Sequence, residues 1–598
     1  MTMPTLDLWP IGNCQVSALV DRSGHFVWGC IPRVDGDPVF CSLLDDADHP
    51  RDAFGFWAID LEGGVSTRQS YLRNTAILVT RHEDGDGNAV EIIDFCPRFK
   101  RHERMYRPVA FARIVRPVSG SPRITVRLRP AHSYRAGRPV QTRGSNHIRY
   151  IAPQQNLRLT TTSPIDWIES EHAFRVEHPL YFFLGPDESF DGDLAETLNG
   201  MLTRTGDEWR HWVRGLATPV EWQEAVIRSA ITLKLCQHEE TGAIVAALTT
   251  SIPEHAGSGR NWDYRYCWLR DAYYTVQALN RLGALDALEG YLSYLRNIVD
   301  NTKGGKIQPL YGVGGEELLP ESIAPALKGY RGMGPVRFGN QAYEQVQHDA
   351  YGQIILSNVQ AFFDHRLFRM AEISDFQALE SIGERAWLAF DKPDAGLWEL
   401  RTRNHIHTYS AAMCWAGCDR LANAAAALGL EERARFWRGR ANIMHNRIEQ
   451  ASWREQTGRL SATFSGDDLD ASLLQLLDLR FLLPDDPRYL GTLAAVEKGL
   501  RRGSHMLRYN TEDDFGLPAT AFNVCTFWLI EALHITGRTE EARILFDEMI
   551  SRRTQSGLLS EDIDPSTGEL WGNYPQTYSL VGLINCAALI SKPWRTVR

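Results

Sequence analysis

Over the first ~190 residues apolar and polar positions alternate in short runs broken by Gly, Pro, Asn and Asp, the signature of half-buried strands. Ala76–Arg81 and Ala89–Phe95 are two such runs. Asp84-Gly85-Asp86-Gly87-Asn88 lies between them and predicts a hairpin. Val109–Val115 and Ile124–Leu128 follow, joined through Ser119-Gly120-Ser121-Pro122. Strands at this spacing predict a sandwich. Near Asp193 the period changes. Leu194–Val213 has helical spacing, carries Trp209 and Trp212, and predicts a linking helix.

From Glu221 onward the helical period dominates, and a weak repeat is visible. Ala272–Leu282 breaks at Gly283 and resumes to Ile298. Ala411–Leu428 breaks at Gly429 and resumes over Glu431–Ile448. Phe522–Ile535 breaks at Gly537 and resumes over Glu540–Ile550. Each glycine falls where a helix C-cap requires a left-handed residue. Such αα-hairpins must stack to bury their apolar faces, as an open solenoid or a closed double ring. Long inserts (301–338, 452–467, 502–518, 557–575) argue against a plain solenoid and are where a site would be built. The predicted division is a β domain over 1–190, a linker region over 191–220 and a helical domain over 221–598.

Composition narrows the partners. The chain has 598 residues, 43% hydrophobic and 23% charged, with a net charge of −10 and no basic stripe. Nucleic acid and anionic membrane are therefore not expected as partners. Met1–Trp9 lacks the pattern of a secretory leader, and no apolar run is long enough to span a bilayer. The ten cysteines are scattered, mostly inside apolar segments such as those of Cys236, Cys267 and Cys525. Reduced, buried thiols and a cytoplasmic location are expected. Cys414 and Cys418 lack the spacing of a zinc site, and His405 and His407 have no carboxylate or cysteine cluster near in sequence. No metal and no cofactor is expected. P-loop, HExxH and GxSxG motifs are missing, and Gly312-Val313-Gly314-Gly315 lacks the strand-turn-helix context of a phosphate cradle.

What remains is a set of aromatic-acidic clusters. Asn261-Trp262-Asp263-Tyr264-Arg265-Tyr266-Cys267-Trp268-Leu269-Arg270-Asp271 places large aromatics and charged pairs at the start of an apolar helix. It reads either as a helix N-terminus with a surface ion pair or as a sugar site, with rings stacking on a pyranose and Arg270 and Asp271 bonding its hydroxyls. Gly396-Leu397-Trp398-Glu399-Leu400-Arg401 and Gly557-Leu558-Leu559-Ser560-Glu561-Asp562 each put a carboxylate beside large apolar groups. These are either solvated loop acids or a general acid and a general base.

Taken together, the clusters resemble glycoside hydrolase family 15: glucoamylases, glucodextranases and bacterial trehalases. Ile11-Gly12-Asn13-Cys14, Ala18-Leu19-Val20, Gly24, Trp28-Gly29-Cys30-Ile31-Pro32 and Asp35 resemble the N-terminal β domain of bacterial members. Asn261–Asp271, Gln308–Glu321, Gly329-Tyr330-Arg331-Gly332, Pro335-Val336-Arg337, Gly339-Asn340, Gln347, Asp349, Tyr351 and Gly352 follow in family order. So do Gly396–Glu399, Asp468–Leu474, Pro484–Arg488 and Gly557–Glu561. The resemblance implies an antiparallel β-sandwich followed by an (α/α)6 barrel. It implies inversion, with Glu399 as general acid, Glu561 as general base, and Tyr264, Trp268, Arg270, Asp271, Trp398, Tyr311 and Arg331 around a small carbohydrate.

The implied activity is exo-acting α-glucoside hydrolysis, with trehalose as the first substrate and maltose- or isomaltose-type glucosides as the alternative. A sugar phosphorylase would need no base, which Glu561 argues against. An inactive sugar-binding protein is countered by the intact pair of glutamates. Self-association into a homo-oligomer stays open. Two positions depart from the family pattern: Leu580 follows Tyr578-Ser579 where many relatives have histidine, and Ala519-Thr520 stand where relatives often have an acid.

Overall fold

The structure is a computed structural model and describes residues 4–45, 53–302 and 305–597. Two antiparallel sheets form the N-terminal part. One runs in the order Trp9–Gly12, Ser17–Val20, Phe26–Ile31, Phe56–Leu61, Arg123–Arg129, Phe174–Arg175, with Asp37–Phe40 pairing beside Phe26–Ile31. The other runs Val140–Arg143, His147–Ile151, Leu157–Thr161, Leu180–Gly185, Phe111–Ser119, Ala89–Phe95, Leu78–Asp84, Gly64–Tyr71. The predicted hairpin forms, with Leu78–Asp84 paired to Ala89–Phe95. Phe111–Ser119 and Arg123–Arg129 do not pair. The Gly120 turn carries the chain from one sheet to the other. Phe26, Trp57, Phe111 and Phe182 meet in the core between them. Within that core Arg113 and Asp94 are fully buried. Arg113 Nε and Nη2 donate to Asp94 at 2.8 and 3.1 Å, and Nη1 and Nη2 also donate to the carbonyls of Trp57 and Gly24.

Helix α1 (Ile165–Glu169) lies in this part, and α2 (Leu194–Arg214) follows it, capped by Asp193, whose side chain accepts from Glu196 N. Then come α3 (Gln223–Leu235), α4 (Leu269–Arg281), α5 (Leu285–Thr302), α6 (Asp349–Val359), α7 (Ile373–Ala389), α8 (Thr408–Ala427), α9 (Glu431–Ser452), α10 (Pro487–Leu500), α11 (Asn523–Ile535), α12 (Thr539–Ser551) and α13 (Thr577–Ile590). Gly283, Gly429 and Gly537 have φ of +85°, +71° and +94°, so the three helical pairs break where the C-cap argument puts them.

α4 touches α6, α6 touches α8, and α8 touches the 3₁₀ segment Ala471–Leu476. That segment touches α11, α11 touches α13, and α13 returns to α4. The other helices lie against this circuit: α5 on α4, α7 on α6, α9 on α8, α10 on the 3₁₀ segment, α12 on α11 and α3 on α13. Apolar residues on both faces of α11 and α13 are buried, which is why their sequences read as unbroken apolar runs.

The two parts are tied at the loops that carry the site. Trp28 Nε1 donates to Leu248 O at 2.7 Å. Arg265 is fully buried between them. It donates to both oxygens of Asp263, to Gly36 O and to Tyr134 Oη. The β part therefore anchors the segment on which Tyr264 and Trp268 stand. None of the helices among the described residues is long and apolar enough to cross a membrane. The ten cysteines are free and buried. Of the N-terminal segment Met1–Trp9, Met1–Met3 lie outside the described residues, as do Lys303 and Gly304 of the first insert.

Candidate active site

Two of the four inserts, 502–518 and 557–575, join the loops around 254–271, 340–345 and 397–401 in lining a cleft of about 850 Å³, counting space open to solvent; 301–338 and 452–467 do not line it. Tyr264, Trp268, Arg270, Asp271, Trp398, Glu399 and Glu561 all line it. Short strand pairs hold the loops in place. Cys267–Trp268 pairs with Leu310–Tyr311, and Asp562–Ile563 lies between Ala521–Phe522 and Leu570–Trp571. α4 starts directly after Trp268, so Arg270 and Asp271 fall in its first turn and project into the cleft. An acid there also sits well with the positive end of the helix.

Glu399 stands in a turn with Gly396 at φ +68° and Glu399 itself at φ +61°. A non-glycine residue held in the left-handed region is costly and persists where its surroundings over-determine it. Here Glu399 O accepts from Gln345 Nε2 at 3.1 Å. Its Oε1 accepts from Trp268 Nε1 at 2.5 Å and from Arg270 Nη2 at 2.9 Å. Arg270 also donates to Gln347 Oε1 at 2.8 Å and lies 3.8 Å from Asp349. Burial pushes the Asp271 carboxyl up to about 7, against the pull of Arg270 and with Glu399 adding to the rise. Trp398 is held by its Nε1, which donates to Asp470 Oδ2 at 2.6 Å.

Glu561 is buried. Its Oε1 accepts from Tyr264 Oη at 2.7 Å. Gly572 lies so close that a Cβ there would stand 2.6 Å from Glu561 Cβ, and its φ is +75°; no other residue type fits. Burial, reinforced by the Glu254 carboxylate, drives the Glu561 carboxyl upward, while Arg508 and the Tyr264 hydroxyl oppose the rise. Asp562 is also raised by burial, and neither of its oxygens has a hydrogen-bond partner. Arg508 lies between these acids, paired with Glu254 and 3.8 Å from Asp562. The two glutamates are linked through rings: Tyr264 on Glu561 meets Trp268 on Glu399 edge to face at 5.4 Å. A partly exposed carboxyl held by an arginine and a buried one held by a tyrosine, both lining one ring-walled cleft, can serve as a proton donor and acceptor on a bound sugar.

Residues 221–588 match the family model for glycosyl hydrolases family 15. The chain belongs to this family. It is 31% identical to a trehalase of Mycolicibacterium smegmatis, over 97% of this chain and 90% of that protein. It is 30% identical to a trehalase of Thermoplasma acidophilum, over 95% of this chain and 97% of that protein. The fold is similar to that of a bacterial glucoamylase solved in complex with acarbose. The TM-score is 0.67 at 14% identity, covering 98% of this chain and 93% of that one.

Two residues expected around the sugar in this glycoside hydrolase lie elsewhere. Tyr311 is opposite Cys267 in the strand pair and shares its buried face, away from Trp268. Its Oη accepts from Gln308 N at 3.0 Å. Arg331 is not a lining residue either. Its Nε donates to Pro4 O and its Nη1 to Glu569 Oε1, both at 2.8 Å, which ties the N-terminal segment to the hairpin behind Glu561. Conversely, Glu254, Arg260, Arg508 and Asp513 line the cleft and carry no sequence pattern; the insert 502–518 was the only signal for the last two. Of the departures from the family pattern, Leu580 is buried among the helices, and the Thr520 hydroxyl donates to Glu254 O at 3.0 Å.

Proposed function

We propose that the chain hydrolyses trehalose to two glucose molecules with inversion, on an (α/α)6 barrel over 221–598 joined through 191–220 to a β-sandwich over 1–190. The observation that carries this reading is the shared cleft. Arg270 and Asp271 lie at its buried end, Glu399 accepts from Arg270, and Glu561 lines the same cleft. The non-reducing glucose occupies the Arg270–Asp271 end with Tyr264, Trp268 and Trp398 around it. Protonated Glu399 gives its proton to the glycosidic oxygen as the C1–O bond breaks. Glu561 takes a proton from water as that water attacks C1 from the opposite face. Inverting carboxyl pairs leave room for this water at a separation of about 6.5–9.5 Å. The names of the full-length relatives support trehalose, and maltose- or isomaltose-type glucosides are the alternative.

One observation favours a second reading with the roles exchanged. Burial and the nearby Glu254 favour neutral Glu561, the state a proton donor needs, while Arg270 and Trp268 both donate to Glu399. α-Glucosyl fluoride decides between them, because its leaving group needs no proton. If Glu399 is the acid, Glu399→Gln keeps fluoride hydrolysis and loses trehalose hydrolysis, while Glu561→Gln loses both. The reverse pattern exchanges the roles. The parent reaction is checked by proton NMR on trehalose, maltose and isomaltose. Equal initial α- and β-glucose from trehalose is expected, and no turnover of any of the three refutes the reading.

A further inference from the structure

The cleft has a direction. At its inner end the Arg270 and Asp271 side chains are 7% and 6% exposed, Glu399 is 22% exposed, and Phe515 at the mouth is 39% exposed. If the released glucose binds at the inner end, as proposed above, the leaving group lies on the Phe515 side. That side is lined by Arg260, Trp262, Arg401, Asp513, Asp514 and Phe515.

The turn that carries the last three is braced from two directions. Arg260 grips Asp513 with two bonds of 2.6 Å, both side chains being buried, and donates to Gly516 O at 2.9 Å. From the loop that follows Glu399, Arg401 N donates to Asp514 Oδ2 at 2.7 Å, Thr402 Oγ1 donates to Asp514 Oδ1, and Arg403 donates to Glu512 O at 2.7 Å. Phe515 meets Trp262 edge to face at 5.1 Å, and the Arg401 guanidinium covers Trp262 at 4.1 Å. A turn fixed on both sides is a wall rather than a flap. Opening it would separate a buried, two-bonded ion pair.

We infer that the Glu512–Gly516 turn is the wall that ends the leaving-group side of the cleft, admitting one further pyranose and excluding longer chains. Phe515, backed by the arginine-covered Trp262, would offer an apolar surface to that ring, and Arg260 and Asp513 polar atoms to its rim. The inference rests on the glucoside-hydrolase reading.

The test is a selectivity ratio. Maltose and maltotriose differ by one ring on the leaving side. Their kcat/KM values are compared with that for trehalose in the wild type, in Phe515→Ala, whose side chain is exposed enough for the fold to tolerate its loss, and in Asp513→Asn, which loosens the brace. Binding of the same sugars to each variant carrying Glu399→Gln, measured by calorimetry, gives the ratio without turnover. The maltotriose preference relative to the disaccharides should rise by about ten-fold or more in both variants. An unchanged ratio in variants that still bind disaccharides overturns the wall. A wild type that neither cleaves nor binds any α-glucoside overturns the underlying reading instead.

Discussion

Two buried arginine-carboxylate clusters show what separates architecture from chemistry in this chain. In the β part, Arg113 and Asp94 lie between the sheets with the guanidinium spread over Asp94 and two backbone carbonyls. In the helical part, Arg508 stands among Glu254, Glu561 and Asp562, with its Nε and both Asp562 oxygens lacking hydrogen-bond partners. In the same cleft the Arg270 Nε and the Tyr578 hydroxyl are also buried without hydrogen-bond partners. Both clusters carry the desolvation cost of buried charge. The first offsets it locally and offers nothing to a ligand. The second leaves groups unsatisfied beside a cleft, where substrate hydroxyls and water can complete them.

The comparison can be broken from either side. Arg113→Met strands Asp94 and should cost about 3–5 kcal/mol of stability, seen as an earlier denaturant transition, with the rate per folded molecule unchanged. A large loss of specific rate in that variant would contradict a purely architectural role. Glu399→Gln and Glu561→Gln should each lower trehalose turnover on the order of 100-fold or more while the thermal transition stays in place.

Arg508→Gln probes the unsaturated cluster directly. It removes the cation that opposes the rise of Glu561, and the base must be ionised to accept a proton. The acid limb of the kcat profile should therefore move to higher pH, with the loss at pH 6 exceeding that at pH 9 by about ten-fold. An equal loss at both values would mean that Arg508 acts only through packing.

The smallest effect is expected at Asp394, which precedes the Glu399 turn. Burial pushes its carboxyl up to about 8, although His348 N and Ser410 Oγ both donate to it at 2.8 Å. A folded value above the ordinary 3.8 means that the folded chain binds this proton more tightly than the unfolded chain. The associated stability is present at low pH and is lost as pH rises toward 8. Asp394→Asn should flatten that slope and raise the thermal midpoint at pH 8 by about 2–4 °C, measured against the same comparison at pH 5.

The helix breaks at Gly283, Gly429 and Gly537 and the hairpin of Leu78–Phe95 were legible from local patterns, because a C-cap or a tight turn imposes its chemistry on adjacent residues. The aromatic-acidic clusters marked the loops from which Tyr264, Trp268, Arg270, Glu399 and Glu561 reach one cleft. Tyr311 and Arg331 show the limit of reading a motif as a site. Both lie in family-like segments, yet strand register turns Tyr311 into the core, and Arg331 is drawn to Glu569 and the N-terminal segment.

The sequence by itself determined the two structural regimes, the helical breaks and the residue types able to do acid-base chemistry on a sugar, since each depends on neighbours within a few positions. Only the tertiary structure decided which of those residues share a cleft, and that Glu254, Arg260, Arg508 and Asp513 join them. Arg260 and Asp513 are 253 positions apart, and Arg508 and Glu254 are 254 apart. Burial and the approach of distant charges set the ionisation of these groups, and both come into being when the loops meet over the helices.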